Sequence, residues 1–190
     1  MRVLIINSSP RRQANISRLL DRAAQVAVSA GADCRVINLY DMEIRQCVAC
    51  MVCRTKLSCP IPDDMSEIAD AITQADRIVI GAPCYWANMP GVLKTMFDRL
   101  VYLFIAKSKR GLPLPLLKGR KALIISTATT PMPFARLFGQ TSGTVKSIRR
   151  ILKLGGIKTI PSIQIGGTMD HDISDADLRR VDRRMAKLLK

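Results

Sequence analysis

Residues 2–20 have the sequence RVLIINSSPRRQANISRLL, in which an apolar run is followed by a polar loop and then by apolar residues at helical spacing. Short continuous apolar runs are typical of strands that are buried on both faces, so residues 3–6 are predicted as the first strand. Asn15 is predicted to cap a helix that reaches Ala30, with Gly31 as its stop. A strand, a loop and a helix in this order begin a βαβ unit.

The same alternation continues along the chain. Further strands are predicted at residues 34–39, 78–80, 122–126 and 157–165, and the last is expected at an edge of the sheet because it contains Pro161. Caps and apolar stripes predict the other helices. They are a helix opened by an Asp64–Glu67 capping box and reaching Ala75, one from Pro90 to Phe104, one that carries Val145 and Ile148 and ends at Gly155–Gly156, and one opened by Ser174–Asp177.

Five strands that alternate with five helices indicate a doubly wound α/β fold. Right-handed crossovers favour a flavodoxin-like three-layer sandwich with a five-stranded parallel sheet in the order 2-1-3-4-5, formed by residues 1–190 as a single domain. Ligands of such sheets bind beyond the carboxyl ends of the strands, near the switch point between strands 1 and 3. The candidate functional loops are therefore residues 7–15, 40–63, 82–90 and 127–140.

The composition is that of a globular protein, with 48% apolar and 24% charged residues. No apolar run approaches the ~20 residues that a membrane span requires, and the first residues lack the pattern of a secretory signal. We therefore expect a cytoplasmic protein with reduced thiols and no membrane partner.

The first candidate loop leads from a strand to the N-terminus of a helix and is rich in hydroxyl groups. It contains neither a GxGxxG nor a GxxxxGK[ST] motif. The free N–H groups and the dipole of the helix suit a phosphate, and Ser9, Arg11, Asn15 and Ser17 are candidates to complete the cradle. The alternative is an ordinary polar turn.

The third loop, APCYWANMP at residues 82–90, holds the only tryptophan of the chain. Tyr85, Trp86 and Met89 are large apolar side chains against which a flat ring could pack, and Asn88 could hydrogen bond to the edge of that ring. Local packing is the alternative explanation.

The second loop contains four cysteines in the pattern C-x2-C-x2-C-x5-C, within a cysteine-rich segment at residues 41–63. They are Cys47, Cys50, Cys53 and Cys59. Zinc sites usually have two cysteine pairs that lie further apart, whereas successive x2 spacings are similar to the bacterial ferredoxin pattern. The sequence therefore favours a [4Fe-4S] cluster, with zinc or metal-free cysteines as alternatives. This loop is expected to share one end of the sheet with the other candidate loops.

Three motifs resemble the NADPH-dependent FMN reductase family, and the match as a whole covers most of residues 1–130. They are Ser-Pro-Arg…Asn at residues 9–15, Gly-x-Pro-x-Tyr-Trp…Met-Pro-Gly-x-Leu-Lys…Phe-Asp-Arg at residues 81–99, and Lys-Ala-Leu-Ile-Ile-Ser-Thr at residues 121–127. The cysteine motif resembles that of the iron–sulfur flavoprotein branch, which carries a [4Fe-4S] cluster beside FMN.

The resemblance implies that the first loop holds the FMN phosphate, that the third borders the isoalloxazine and that residues 126–129 approach its other side. The implied FMN-binding residues are Ser9, Arg11, Asn15, Ile16, Ser17, Pro83, Cys84, Tyr85, Trp86, Asn88, Met89, Ser126, Thr127, Ala128 and Thr129. The chain departs from the family in having Ile16 where a threonine is usual and Cys84 where an aliphatic residue is usual.

The implied function is an FMN-dependent oxidoreductase in which electrons from an acidic, ferredoxin-like protein pass through the cluster to FMN and on to a small-molecule acceptor. No side chain is expected to act as a catalytic acid or base. In the family the cluster of one subunit serves the flavin of its neighbour, which implies a homodimer or homotetramer. The apolar residues 100–106 and 112–117 are candidates for the subunit contact or for the core.

Two alternative functions stay open, and the first of them is suggested by the charge of the chain. The net charge is +15, and 19 of the 30 basic residues lie in residues 96–190; such a field attracts anionic partners. One cluster contains Lys107, Lys109, Arg110, Lys118, Arg120 and Lys121. Nucleic acid is the less favoured partner because no aromatic residues are interleaved with the basic clusters, and solvated helix faces explain the charge equally well. An NAD(P)H-dependent FMN or quinone reductase without a cluster is the other alternative.

Overall fold

The computed structural model describes residues 1–108 and 111–190, so Lys109 and Arg110 of the predicted basic cluster lie outside the described residues. The strands are β1 Arg2–Asn7, β2 Asp33–Asn38, β3 Arg77–Pro83, β4 Ile105–Lys107, β5 Pro113–Pro115, β6 Lys121–Thr127, β7 Lys158–Thr159 and β8 Ile163–Ile165. The helices are α1 Asn15–Ser29, α2 Cys53–Lys56, α3 Met65–Gln74, α4 Gly91–Arg99, α5 Val101–Phe104, α6 Phe134–Leu137, α7 Gln140–Leu154 and α8 Asp175–Leu188. None of the helices in these two ranges has the length and apolar character needed to cross a membrane.

The main sheet is parallel and has the order β2-β1-β3-β6, with β7 and β8 both paired to β6. This confirms the predicted fold class and the order 2-1-3-4-5. The fifth strand is split, because Pro161 lies between β7 and β8 and has no N–H group to donate to the ladder. As predicted, the two pieces occupy an edge of the sheet.

Hydrophobic side chains cover both faces of the sheet. Leu4 and Ile6 of β1 pack with residues of α3, α4 and α7, whereas Val3 and Ile5 pack with residues of α1 and α8. Successive side chains of a strand point to opposite faces, so the continuous apolar run of β1 supplies both cores. Because helices cover both faces of the sheet, the loops that lead from the carboxyl ends of the strands to the starts of the helices lie together at one edge of the sheet.

Gly81 lies on β3 where α1 packs against the sheet. A Cβ at this position would lie 2.5 Å from Leu20 Cδ1 and 2.8 Å from Ile16 Cγ2. We expect Gly81→Ala to lower the free energy of unfolding by about 1–3 kcal/mol, because α1 must shift to admit the methyl group. Urea unfolding of the two proteins measures the difference. Equal midpoints and slopes would contradict the close packing of α1 on β3.

Two predicted helix starts were wrong, and one was confirmed. Asn15 is not the cap of α1, because its side-chain oxygen accepts a hydrogen bond from the N–H of Ile173 (3.2 Å) and Ala14 occupies the cap position without a side-chain bond. The Asp64–Glu67 capping box does not form either, because Glu67 pairs with Arg35. The box at Ser174 and Asp177 opens α8 as predicted.

The helix predicted from Pro90 to Phe104 is divided. Pro90 caps α4, and the backbone leaves the helical region at Leu100 (φ −99°, ψ 14°) before the short α5. The antiparallel hairpin β4–β5, which the sequence analysis missed, follows. Leu100 and Phe104 are buried in the core, so the first apolar stretch serves mainly the core. In the second stretch Leu117 is also buried, whereas Leu112, Leu114 and Leu116 are exposed.

Candidate functional site

Asn7, at the carboxyl end of β1, organises the first loop. Its Oδ1 accepts a hydrogen bond from the N–H of Ser9 (3.0 Å), and its Nδ2 donates to Ser17 Oγ (3.1 Å) and Asn38 Oδ1 (2.9 Å). Ser8 ties the same loop to β3, since its N–H and its hydroxyl both donate to the carbonyl of Gly81 (3.0 and 2.8 Å). The sequence analysis missed Asn7 and Ser8, although a buried asparagine that ends an apolar strand is an available signal.

The predicted phosphate-binding residues surround the N-terminus of α1. The hydroxyls of Ser9 and Ser17 both donate to the carbonyl of Arg11 (3.4 and 3.0 Å), while the side chain of Arg11 is exposed. Ile16 is buried against β3, and Asn15 is held by the loop before α8. The first backbone N–H groups of a helix have no partner within it, so this preformed loop presents donors to an anion mainly from its backbone.

The third loop forms a tight hairpin turn in which Tyr85 and Asn88 exchange backbone hydrogen bonds of 3.0 Å. Trp86 and Ala87 occupy its centre with φ values of 52° and 58°. Positive φ at both central residues is the type I′ pattern, which favours glycine and asparagine. The turn therefore stores strain, and it presents the Trp86 side chain fully exposed (101%) beside a Tyr85 that is 44% exposed.

Helix α7 and strand β6 hold this turn in place. A Cβ at Gly143 would collide with the carbonyl oxygen of Ala87 and lie 3.1 Å from its carbon. Thr144 Oγ1 donates to the carbonyl of Asn88 (2.9 Å), and the N–H of Cys84 donates to the carbonyl of Thr127 (2.8 Å). The sequence analysis did not single out Gly143, although a glycine within a helical stretch often marks a close backbone approach.

The fourth loop begins with a buried hydroxyl. Ser126 Oγ is inaccessible to solvent and has no hydrogen-bond partner among the described residues. Thr127 is also buried, the carbonyl of Ala128 accepts hydrogen bonds from the N–H and the hydroxyl of Thr168 (3.1 and 3.0 Å), and Thr129 is exposed. An unpaired buried hydroxyl is costly, so Ser126 is a candidate to hydrogen bond to a ligand.

The other predicted flavin residues lie along the same edge. Pro83 and Cys84 are half-buried, Asn88 is exposed and accepts a side-chain hydrogen bond from the N–H of Met89 (2.8 Å), and the Met89 side chain is buried in the core. Met89 therefore offers its backbone rather than its side chain to this edge. Helix-terminal N–H groups, an exposed aromatic turn and an unpaired serine at the ends of β1, β3 and β6 fit a phosphorylated flat-ring cofactor such as FMN.

The cysteine-rich segment runs down the flank of the molecule and returns. Near its start and its end, the N–H of Glu43 donates to Asp64 Oδ2 (2.7 Å), and the N–H of Asp64 donates to the carbonyl of Glu43 (3.1 Å). Ala49, Met51 and Leu57 have positive φ, between 52° and 62°. These tight turns separate the four cysteines.

A buried ion pair fastens the segment to α4. The side chains of Arg99 and Asp63 are both 0% exposed, and Arg99 donates to both carboxylate oxygens of Asp63 (2.7 and 2.9 Å). Burial alone would raise the pKa of Asp63, but hydrogen bonds from Arg99 and from the N–H groups of Arg45 and Met65 bring it below its ordinary value. Burial opposes the charged form of Arg99, yet Asp63 and Cys59 outweigh it and raise the pKa of Arg99. Arg99 ends the Phe-Asp-Arg motif, but the sequence analysis gave it no role.

The four predicted cluster ligands are free thiols; Cys47 and Cys50 are exposed, and Cys53 and Cys59 are half-buried. Burial raises the pKa of Cys53, and the charges of Cys59, Cys47 and Cys50 raise it further, so these three sulfurs lie within electrostatic reach of Cys53. Within residues 1–108 and 111–190, no three metal-ligating side chains converge closely enough to hold a metal ion. The donor set fits a four-thiolate cluster, but it is not closed around one point.

The segment begins beside the first loop and extends along α4. Asp41, at its start, pairs with Arg12 of the first loop, whereas Cys59 contacts Arg99, the last residue of α4. The aromatic turn lies before Gly91, at the other end of α4, and the two ends are about 12 Å apart at about 1.5 Å per residue. That the cysteines and the flavin loops share one end of the sheet stays a prediction.

Two cavities adjoin the cysteines. One, of about 540 Å³, is lined by Cys47, Phe104 and Leu154 among other residues. The other, of about 670 Å³, lies beside Cys53 and Tyr102 and is bordered by Arg54 and Lys107. Burial raises the pKa of Tyr102, and the neighbouring Cys59 and Cys53 raise it further. The cysteine face is therefore an open, largely apolar surface with a basic rim.

A family model described as "Flavodoxin-like fold" matches residues 1–189. The chain belongs to this family. An iron-sulfur flavoprotein of Methanosarcina thermophila is 36% identical over 115 residues, which are 58% of this chain and 60% of the relative. One from Archaeoglobus fulgidus is 25% identical over 188 residues, or 99% of this chain and 79% of the relative.

These relatives confirm the resemblance to iron–sulfur flavoproteins. The match spans only 60% of the Methanosarcina thermophila protein and 51% of an iron-sulfur flavoprotein from Methanocaldococcus jannaschii. Among solved structures, Smu.1420 from Streptococcus mutans has a TM-score of 0.77 at 24% identity and covers 99% of this chain and 98% of its own. An FMN-dependent NADH-azoreductase from Bacillus anthracis, in complex with FMN, also has a TM-score of 0.77, at 18% identity, and covers 100% of this chain and 99% of its own. The TM-scores establish the flavodoxin-like fold.

Proposed function

We propose that this protein is an FMN-dependent oxidoreductase of the iron–sulfur flavoprotein type. In this proposal Cys47, Cys50, Cys53 and Cys59 hold a [4Fe-4S] cluster, an acidic ferredoxin-like protein donates electrons, and a small molecule accepts them at FMN. The observation that carries the proposal is a loop of four neighbouring thiols, fastened by a buried ion pair to a fold whose other strand-end loops suit FMN. The names of the relatives support the same assignment.

The flavin loops would bind and orient FMN without taking part in acid–base chemistry. The N–H groups at the start of α1 would hold the phosphate, with Ser9 and Ser17 keeping that loop in shape through the carbonyl of Arg11. The Tyr85–Asn88 turn would border one side of the ring, and the unpaired Ser126 hydroxyl would hydrogen bond to its polar edge. Bound FMN itself supplies the electron-transfer chemistry.

Two exposed apolar faces favour association of copies into a homodimer or homotetramer, in which electrons would pass between subunits. One face has Val48, Met51 and Leu57 exposed beside the cysteines, and the other has Phe134, the first residue of α6, and Phe138, which follows α6. Helix α6 and the aromatic turn both contact the start of α7, through Ser142 Oγ on the carbonyl of Arg136 (3.3 Å) and through Gly143. Association of the cysteine face of one copy with the aromatic face of another would bury both.

The electron donor would approach the basic rim of the cysteine face. Arg54 and Lys107 border the cavity beside Cys53, and both belong to exposed parts of the segment and of the β4–β5 hairpin. A positively charged rim steers an acidic protein and speeds the encounter. Electron transfer from such a donor should therefore slow as the ionic strength rises.

The test is the anaerobic visible spectrum together with assays of iron, sulfide and flavin on one sample. We expect about four iron and four sulfide per FMN, as a cubane held by four thiolates requires. Cys47→Ser should lose the iron and keep the flavin. Cys34→Ser is the matched control, because Cys34 lies on β2 outside the loop, and it should keep both cofactors.

Flavin without iron, even after anaerobic reconstitution, would overturn the cluster. The protein would then be an NAD(P)H-dependent FMN or quinone reductase, a function supported by a Haemophilus influenzae relative named as an NAD(P)H oxidoreductase. Anaerobic bleaching of the flavin by NADPH would identify that activity. Binding to nucleic acid with no flavin would instead support a basic binding module.

A further inference from the structure

We infer that Arg99 is a positioning residue for the proposed cluster: its guanidinium fixes the sulfur of Cys59 and makes the cluster easier to reduce. This inference rests on the proposed function, because it concerns the four-cysteine loop. It assigns a role to the last residue of the Phe97-Asp98-Arg99 motif, which the flavin site does not use.

All three nitrogens of the guanidinium contact the cysteine segment. Nη1 donates to the carbonyl of Arg45 and to Asp63 Oδ2, both at 2.7 Å, and Nη2 donates to Asp63 Oδ1 (2.9 Å) and weakly to the carbonyl of Ile61 (3.4 Å). Nε donates to Cys59 Sγ at 3.0 Å. Arg99 therefore joins the outgoing and the returning part of the segment to one point on α4.

The contact with the sulfur is additional to what the ion pair requires. The two terminal nitrogens already neutralise Asp63, and Nε is the donor that remains. Its direction is set by the planar guanidinium, which Asp63 holds from the opposite edge. A lysine at this position could pair with Asp63, but its single nitrogen could not also keep the fixed direction toward Cys59.

A cation and an N–H donor beside a cluster sulfur favour the more negative, reduced state, since hydrogen bonds to the sulfurs and local charge set cluster potentials. The guanidinium is shielded from water, which strengthens the electrostatic effect. The exposed Cys47 and Cys50 are in a different setting. The geometry thus makes the Cys59 side of the loop the ordered side, on which a sulfur accepts a hydrogen bond.

The test compares Arg99→Lys and Arg99→Gln with the wild-type protein after anaerobic reconstitution. Arg120→Lys is the matched control, because Arg120 also donates to backbone carbonyls, those of Ala75 and Thr73, but lies away from the cysteines. The measurements are iron per chain, FMN per chain and the cluster midpoint potential, followed by electron paramagnetic resonance. FMN content reports whether each variant has folded.

We expect Arg99→Lys to keep FMN and iron but to lower the equilibrium constant for cluster reduction about tenfold, which is about 59 mV for one electron. Arg99→Gln should also lose iron, and Arg120→Lys should match the wild type. In addition, wild-type protein labelled with ¹⁵N-arginine should show a ¹⁵N coupling to the reduced cluster. This measurement needs no variant and so does not depend on the variants folding.

Two outcomes separate the inference from the proposed function. An iron-loaded wild type without a ¹⁵N coupling, or an Arg99→Lys protein with an unchanged potential, would overturn the role of Arg99 and leave the cluster in place. A wild-type protein that binds FMN but no iron would overturn both.

Discussion

Asp63→Ala is expected to lower the free energy of unfolding by about 3–5 kcal/mol, because it leaves the buried Arg99 without its counter-ion. The two side chains are both 0% exposed, so water cannot replace the lost carboxylate. The variant also loses the hydrogen bonds from the N–H groups of Arg45 and Met65. In the variant, the exchange rates of the amides of residues 42–64 should therefore rise over those of the wild type more than the rates of the sheet amides do.

Urea unfolding and hydrogen exchange measure these two effects. Asp98→Ala is the matched control, since Asp98 is the neighbour of Arg99 in sequence but forms an exposed pair with Lys94. Such surface pairs contribute about 0.3–0.5 kcal/mol. A loss for Asp63→Ala no larger than that of the control would show that the buried pair does not hold the segment.

The effect of Asp63 depends on pH in a defined direction. Its pKa in the folded protein lies below the ordinary value of 3.8, so the unfolded state takes up its proton first as the pH falls. The stability due to the ionised carboxylate is complete above that ordinary value and is lost as the pH drops through the folded pKa. The difference between wild type and Asp63→Asn should therefore be constant near neutral pH and shrink below about pH 4.

Gly143→Ala is expected to displace the aromatic turn and weaken FMN binding at least about tenfold, or about 1.4 kcal/mol. The new methyl group would occupy the space of the Ala87 carbonyl oxygen. Either the turn moves out or the start of α7 shifts, and such overpacking typically costs about 1–3 kcal/mol of stability. Fluorescence titration of the apoprotein with FMN and urea unfolding measure both effects.

Gly91→Ala separates the steric effect from the change of residue type. Gly91 is also helical, and a Cβ there would meet nothing within 4 Å. Its replacement should leave FMN binding unchanged and stabilise the protein by up to about 1 kcal/mol. If Gly143→Ala bound FMN as tightly as Gly91→Ala, the Tyr85–Asn88 turn would not be part of the flavin site.

Local pattern was sufficient to predict most of the fold. The apolar run of β1 predicted a strand buried on both faces because each residue contributes to one of two cores. Pro161 predicted an edge position through its missing N–H group. The capping box of Asp64 failed for a nonlocal reason, since its carboxylate is used by the N–H of Glu43, 21 residues away.

The contacts that shape the candidate site join residues that are far apart in the sequence, so no local sequence pattern predicts them. Arg99 and Asp63 are 36 residues apart, and Thr144 reaches the carbonyl of Asn88 across 56 residues. The motifs placed residues such as Ser9 and Trp86 on the correct loops. They did not indicate that the Met89 side chain points into the core or that the cysteines lie beside the far end of α4.

The cysteine segment is a separable module because its two ends are held together. Two hydrogen bonds join Glu43 and Asp64, so a short loop between them could replace the intervening residues while β2 and α3 keep their positions. Removal of the segment would nevertheless leave the guanidinium of Arg99 in an apolar layer without its counter-ion. Gain or loss of the module, by evolution or by design, is therefore coupled to a second change on α4, where an unbranched apolar residue such as methionine would have to replace Arg99.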